Sequence, residues 1–271
     1  MPEGHTLHRL AREQRRLFAG RTVRASSPQG TFAEGASAID GLVLRRTEAK
    51  GKHLVHHYQD GPTLHIHLGL YGSFTTGSGL APEPKGALRL RLVGEDVWTD
   101  LRGPNTCELL EPHEAAALFA RLGQDPLRRD ADPLLAYRRI SRSRVVIAAL
   151  LMDQTVVAGI GNVYRAELLY RHRMDPYLPG QAVSLPTWLA MWDDLVTLMR
   201  AGVRVGRIET LYPQDRPRKR GPLARDEAGY VYRRAGLPCR VCGTEVRTEM
   251  LVGRNLYWCP SCQPAGSAGA L

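Results

Sequence analysis

Apolar positions at Leu7, Leu10, Ala11, Leu17 and Phe18 recur with helical spacing, and Gly20 follows where a C-terminal cap belongs. Residues 5–18 are therefore predicted to form an amphipathic helix. From residue 22 to 110 the pattern changes to short alternating runs at 42–47, 53–58, 63–68, 87–93 and 97–101, punctuated by Gly, Pro and Asp, which predicts a β-sandwich or barrel. Beyond Pro112 the period becomes helical again, with candidate helices at 114–122, 133–140, 144–152, 163–171 and 187–201. Residues 212–225 are polar, Pro-rich and basic and read as a mobile loop. Four cysteines follow in the next segment, and the last eight residues carry no pattern. The class is thus α+β and multidomain. An N-terminal β-sandwich with a leading helix spans 1–111, a helical domain 112–212, a basic loop 213–228, a cysteine module 229–263 and a disordered tail 264–271.

Composition narrows the partners. Lys+Arg total 37 against 27 Asp+Glu, giving +10 and a pI near 9.7, and the only lysines are Lys50, Lys52, Lys85 and Lys219. An arginine-dominated excess favours planar, bidentate recognition of phosphate, so nucleic acid leads over a membrane surface. The N-terminus shows no basic-then-apolar signal and no stretch reaches the ~18 uninterrupted apolar residues of a membrane span, so a cytoplasmic, nucleoid-associated and unsecreted protein is expected. Thiols stay reduced there, and the cysteines read as metal ligands rather than disulfides. Cys107 is the odd one and reads as a small buried hydrophobe.

Cys239-x-x-Cys242 and Cys259-x-x-Cys262 lie 16 residues apart, a spacing that lets four thiolates converge on one structural Zn2+ with no open position for water. Between the pairs, the Gly253-Arg254-Asn255 turn would present Arg254 to phosphate or simply to solvent. Gly159-Ile160-Gly161-Asn162 joins two candidate helices and exposes backbone N–H groups to an anion, or else permits close helix packing. His65 and His67 share one strand face, which alternating polar positions explain better than a metal, since no third ligand is evident. The start Met1-Pro2-Glu3-Gly4 carries the sharpest chemistry. Methionine before proline is normally removed, leaving a secondary α-amine whose ordinary pKa near ~8 lies well below the ~10.4 of lysine. Condensed with an aldehydic sugar carbon, such an amine gives only a charged iminium, an electron sink that acidifies the neighbouring C–H and promotes elimination. Glu3 is placed to protonate the ring oxygen, and Lys52 to supply a further proton or bind phosphate.

These motifs together resemble the formamidopyrimidine-DNA glycosylase and endonuclease VIII family of base-excision-repair enzymes. The resemblance runs through Pro2-Glu3-Gly4, Gly51-Lys52, Leu151-Met152-Asp153-Gln154, Ala158-Gly159-Ile160-Gly161-Asn162, and Gly253-Arg254 through Cys259-Pro260-x-Cys262-Gln263. It implies a β-sandwich, a helix-two-turns-helix domain and a zinc finger, acting as a monomer on damaged double-stranded DNA. By position, Pro2 resembles the Schiff-base nucleophile, Glu3 the proton donor, Lys52 the group assisting 3′ elimination, and Arg254 the finger residue tied to 5′ elimination. Asn162 and Arg121 correspond to DNA contacts. The family extrudes the damaged nucleotide, and in the endonuclease VIII branch a Gln-Leu-Tyr run fills the gap. This chain has Gly69-Leu70-Tyr71, so the pair Leu70 and Tyr71 fits while the glutamine is absent. The resemblance implies a bifunctional glycosylase and AP lyase for oxidised pyrimidines. An oxidised-purine glycosylase of the same fold, or a zinc-stabilised damaged-DNA-binding protein with little catalysis, are the alternatives.

Overall fold

The computed structural model describes residues 2–219, 221–224 and 226–269. They divide into two compact units, Met1–Arg121 and Leu122–Leu271. The first unit opens with α1 (Gly4–Phe18), followed by β1 (Arg21–Ser26), α2 (Ala33–Ile39), β2 (Leu42–Lys50), β3 (His53–Tyr58), β4 (Thr63–His67), β5 (Ser73–Ser78), β6 (Leu88–Val93), β7 (Val97–Arg102), β8 (Thr106–Leu110) and α3 (Pro112–Ala120). The eight strands run in the order β5-β7-β6-β1-β2-β3-β4-β8, all neighbours antiparallel.

Strand β1 belongs to both halves of this sheet. Its first residues, Arg21 to Val23, pair with β2, and its last, Arg24 to Ser26, pair with β6. The halves close over one core, because Leu54, Leu64 and Ile66 on one side and Leu90, Leu92 and Leu101 on the other share a buried cluster with Leu7, Ala11 and Phe18 of α1. This is the expected β-sandwich with its leading helix. Helix α2 falls inside the segment expected to be all strand. Its small residues carry little periodicity, and only Ala36 and Ile39 face the core. The unit boundary lies after Arg121 rather than after residue 111, because α3 packs against β4 and β8.

The second unit contains α4 (Pro133–Ile140), α5 (Ile147–Leu150), α6 (Asn162–Arg171), α7 (Leu185–Val205), β9 (Arg247–Leu251) and β10 (Arg254–Trp258). Ser184 caps α7 by accepting from Thr187 N at 3.2 Å, and Gly206 ends it in the left-handed conformation at φ 82°. The predicted 144–152 helix shrinks to one turn. Its β-branched start is drawn into extended pairing instead: Val146 bridges Pro179, and Val145 O accepts from Gly180 N at 2.9 Å. The basic 212–225 segment, expected to be mobile, is tied down in its described part. Arg216 pairs with Glu209 at 2.6 Å, and Asp215 accepts from the Tyr230 hydroxyl at 2.5 Å. The tail also departs from expectation. Gly266 N donates to Asp175 Oδ2 at 2.7 Å, Ser267 Oγ to Arg173 O at 2.7 Å, and Ala268 bridges Met174, so residues 264–269 are strapped to the end of α6 by polar contacts that composition does not reveal.

Three histidines of the first unit are held neutral chiefly by burial. His5 is lowered to about 4, and His53 and His56 to about 3. His56 is fully buried against α1, its Nε2 2.6 Å from Gln14 Oε1. Below pH 6.5 the unfolded chain takes up protons that the native state refuses, so stability is complete above that value and is lost as pH falls toward 4 and 3. Urea midpoints measured at pH 7.5, 6, 5 and 4 should fall steeply over the last three. A profile flat to pH 4 would contradict this account.

Candidate active site and metal centre

Glu3 is the N-cap residue of α1, with extended backbone, and its carbonyl accepts from Thr6 N at 2.8 Å. The residue is fully buried at the positive end of the helix, an arrangement that suits a carboxyl group. Pro2 lies beside it and stays partly accessible. Met1, expected to be removed, lies outside the described residues. Lys52 is the second residue of a two-residue turn between β2 and β3, led by Gly51 at φ 59°. That Gly-first pattern suits the tight hairpin turns whose twist matches the strands. Pro2, Glu3 and Lys52 thus all belong to the first unit, as does Arg121, which is exposed just after α3.

The segment after β4 is a tight loop in which Gly72 N donates to Leu68 O at 2.9 Å. Its tip exposes two large side chains, Leu70 at 41 % and Tyr71 at 88 %. Solvent-exposed apolar groups of this size on a hydrogen-bonded loop suit insertion between bases. Gly69 precedes them at φ 65°, and a Cβ there would lie 2.8 Å from Asn105 Cβ. The glutamine of the endonuclease VIII run would therefore be strained twice here, by backbone conformation and by space.

In the second unit the Gly159-Ile160-Gly161 turn is buried and feeds α6. Asn162, at the head of that helix, is 5 % exposed rather than open to solvent. Its Nδ2 donates to Asn255 O at 2.9 Å, its Oδ1 accepts from the buried Arg165, and Arg165 also reaches Asn255 O at 3.2 Å. The helix head thereby grips the β9–β10 hairpin next to Arg254, which is exposed. Midway along α6, the fully buried Glu167 carboxylate accepts from Tyr230 N, Val231 N and Tyr232 N at 2.7 to 2.9 Å and from the Thr210 hydroxyl at 2.6 Å. Gly229 makes room for it, since a Cβ there would sit 2.8 Å from Glu167 Oε1. Sequence reasoning missed Glu167 and Arg165; the available signal was two charged residues inside an otherwise apolar helical run.

The four Sγ atoms of Cys239, Cys242, Cys259 and Cys262 all lie within 4.8 Å of one another, with none in a disulfide. Cys239 to Cys262 is 3.9 Å and Cys242 to Cys259 is 3.4 Å. Ligands ~2.3 Å from a tetrahedral zinc ion stand about 3.8 Å apart, so the donor set and its spacing both fit. Among the described residues this is the one cluster with such geometry. Tyr170, at the far end of α6, brings its hydroxyl 3.1 Å from Cys239 Sγ and 3.7 Å from Cys262 Sγ, and its ring stacks on Tyr230 at 4.7 Å.

Comparison with known proteins agrees segment by segment. Residues 1–107 match the formamidopyrimidine-DNA glycosylase N-terminal domain, 122–212 its H2TH domain, and 236–265 the zinc finger found in FPG and IleRS. Endonuclease 8 1 of Mycobacterium tuberculosis is 56 % identical over 277 residues, covering 97 % of this chain and 100 % of the relative. This chain belongs to the formamidopyrimidine-DNA glycosylase and endonuclease 8 family. A formamidopyrimidine-DNA glycosylase of Acidothermus cellulolyticus is 31 % identical, covering 97 % of this chain and 96 % of its own. The fold matches MutM solved with DNA containing carbocyclic 8-oxo-G, at TM-score 0.79 and 21 % identity, over 97 % of this chain and 100 % of the other. It also matches Lactococcus lactis Fpg solved with abasic-site DNA, at TM-score 0.77 and 22 % identity, over 97 % and 99 %. Family membership thus rests on sequence over the full chain, and the solved structures supply the shared fold.

Two outcomes follow for this family member. Gly69→Gln should lower the thermal midpoint, with a backbone contribution of about 1–2 kcal/mol before the collision with Asn105 is added; a variant as stable as the parent would refute the steric reading. Tyr170→Phe should release zinc to a chromogenic chelator roughly 10- to 100-fold faster than the parent protein, while the fold, read by circular dichroism, is kept. Equal release rates would remove Tyr170 from the metal site.

Proposed function

We propose that this protein is a bifunctional DNA glycosylase and AP lyase of base-excision repair that excises oxidised pyrimidines from duplex DNA. It acts as a monomer in the nucleoid and holds one structural Zn2+ on Cys239, Cys242, Cys259 and Cys262. The observation that carries the chemistry is the pairing of Pro2 with a fully buried Glu3 at the head of α1. Freed of Met1, the Pro2 nitrogen attacks the sugar carbon that bears the damaged base. The base departs, Glu3 protonates the ring oxygen as the sugar opens, and an iminium is left on the Pro2 nitrogen. Loss of the adjacent C–H proton then expels the 3′ phosphate, with Lys52 assisting. A second elimination expels the 5′ phosphate, and Arg254 serves that step. The zinc, when bound, supplies no chemistry; a closed four-thiolate site holds the hairpin rigid.

Binding follows from the surfaces described. Leu70 and Tyr71 occupy the gap left by the extruded nucleotide, and Arg121 contacts the phosphate backbone. Asn162 serves DNA binding by holding the hairpin that carries Arg254, because its own amide is spent on Asn255 O. The oxidised-pyrimidine preference rests on Leu70-Tyr71 and on the 56 % identity to a protein named endonuclease 8. No helix among the described residues is long and apolar enough to cross a membrane, in keeping with a site of action on DNA.

The test is reductive capture. Protein incubated with duplexes carrying an abasic site, thymine glycol or 8-oxoguanine, then treated with borohydride, should form a covalent adduct with the first two; Pro2→Ala, which keeps only a primary α-amine, should slow capture, and acetylation of the N-terminal amine should abolish it while leaving DNA binding nearly intact. Stronger capture on 8-oxoguanine than on thymine glycol would reassign the substrate to oxidised purines. Binding to abasic DNA without adduct or cleavage, from protein lacking Met1, would reduce the protein to a damage-binding module.

A further inference from the structure

Lys52 sits at a hairpin tip, ordinarily the least constrained part of a sheet. Here both residues flanking the Gly51-Lys52 turn are anchored. Lys50 and His53 pair across the hairpin. Lys50 Nζ donates to Phe119 O of α3 at 2.8 Å. On the other strand, His53 Nδ1 lies 2.9 Å from His65 Nε2, and His65 Nδ1 lies 2.8 Å from Glu108 Oε1. These contacts run across three neighbouring strands, β3, β4 and β8, from a half-exposed carboxylate to the residue adjoining Lys52.

The donors along this chain are ordered by its carboxylate end. With His65 neutral, Glu108 takes its Nδ1–H, which leaves His65 Nε2 with a lone pair to take the Nδ1–H of His53. His53 is left neutral with an Nε2 that can only accept. The groups facing His53 are His65 and His67 of β4, Lys52 on the turn and Arg121 after α3. Burial comes first and then these neighbours in holding His53 at about 3. A protonated His53 would add a third cation beside Lys52 and Arg121, whereas the tautomer set by the chain adds an acceptor. Alternating polar residues on a strand need none of this; a carboxylate, two imidazoles and a fixed tautomer directed at one turn form an ordered device.

We propose that the Glu108–His65–His53 chain is a positioning device for Lys52, fixing the turn and keeping a neutral, acceptor-only imidazole beside the lysine ammonium. This inference rests on the lyase reading above and adds three residues to it, none of which touches the sugar. Breaking the chain frees the turn and lets His53 change tautomer. The imidazole beside Lys52 can then present a donor instead of an acceptor, the charged form of Lys52 is less favoured, and elimination slows while Pro2 still reacts.

The experiment uses full-length protein lacking Met1 and single turnovers on an abasic duplex. His65→Phe and Glu108→Leu break the chain; Glu108→Gln keeps an acceptor oxygen for His65 Nδ1–H and serves as the conservative rescue. Three quantities are read for each: borohydride-captured adduct, strand-cleavage rate between pH 5 and 9, and affinity for an uncleavable tetrahydrofuran duplex. The two breaking variants should bind and form adduct within about twofold of the parent, cleave roughly tenfold more slowly, and show the alkaline limb of the rate profile at lower pH. Glu108→Gln should cleave within about threefold of the parent with its limb unmoved. Parental cleavage and pH profile in both breaking variants would overturn the inference. So would joint loss of binding, adduct and thermal stability, which would make the chain a sheet-stabilising contact alone. Failure of the parent protein to form any adduct would instead remove the lyase reading.

Discussion

A single buried carboxylate organises the second unit. Glu167 is fully buried, and its carboxyl oxygens are satisfied because three successive backbone N–H groups and one hydroxyl converge on them. The three backbone donors come from the start of the cysteine module, so satisfying the buried carboxyl group fixes where that module begins. The same helix reaches the module at two further points, through Asn162 to the hairpin and through Tyr170 to two of the thiols. Helix α6 is thus less a layer of the helical core than an axle on which the finger is mounted, and the apolar residues around it serve to exclude the water that would compete for its polar contacts.

The first unit solves a different problem. Its sheet carries an unusual load of imidazole, and each ring must be either satisfied or kept neutral. His56 donates its Nε2–H to Gln14 Oε1 in the core, while His53 and His65 share hydrogen bonds on the opposite face. Local geometry also limits what the loop after β4 can carry. Gly69 is compelled by φ 65° and by Asn105, so the departure from the family glutamine is built into the backbone rather than confined to one exchangeable side chain.

Much of this was legible in the chain. Period-two runs located β3 within its observed bounds, and the helical repeat located α1 and α4, because those elements bury one face against one core. The cysteine spacing anticipated the cluster, since two Cys-x-x-Cys pairs have few other uses. What stayed hidden depends on distant partners. Val145 and Val146 read as helix but extend, because residues 178–180 offer them backbone pairing. The 264–269 strap has no apolar signature and is held by Asp175 and Arg173, far away in sequence. At the site, Pro2, Glu3 and Lys52 were visible as residue types in a meaningful order. Asn162 was anticipated as a DNA contact; its burial and the bond from its amide to Asn255 O, a partner unknowable from spacing, were not legible.

The sharing of β1 between both halves of the sheet bears on how the protein is made. Arg21 to Val23 find β2 almost as soon as both are synthesised, but Arg24 to Ser26 must wait for β6, and the β4 edge must wait for β8. Long-range pairings of this kind are slow to close and leave strand edges open meanwhile. During that interval the polar backbone of half a strand is unpaired and the core beneath it is uncovered. A nascent chain stalled before residue 88 would therefore expose a ready surface for chaperones or for another chain, and the N-terminal residues that bear the proposed chemistry would be among the first synthesised and the last to be housed.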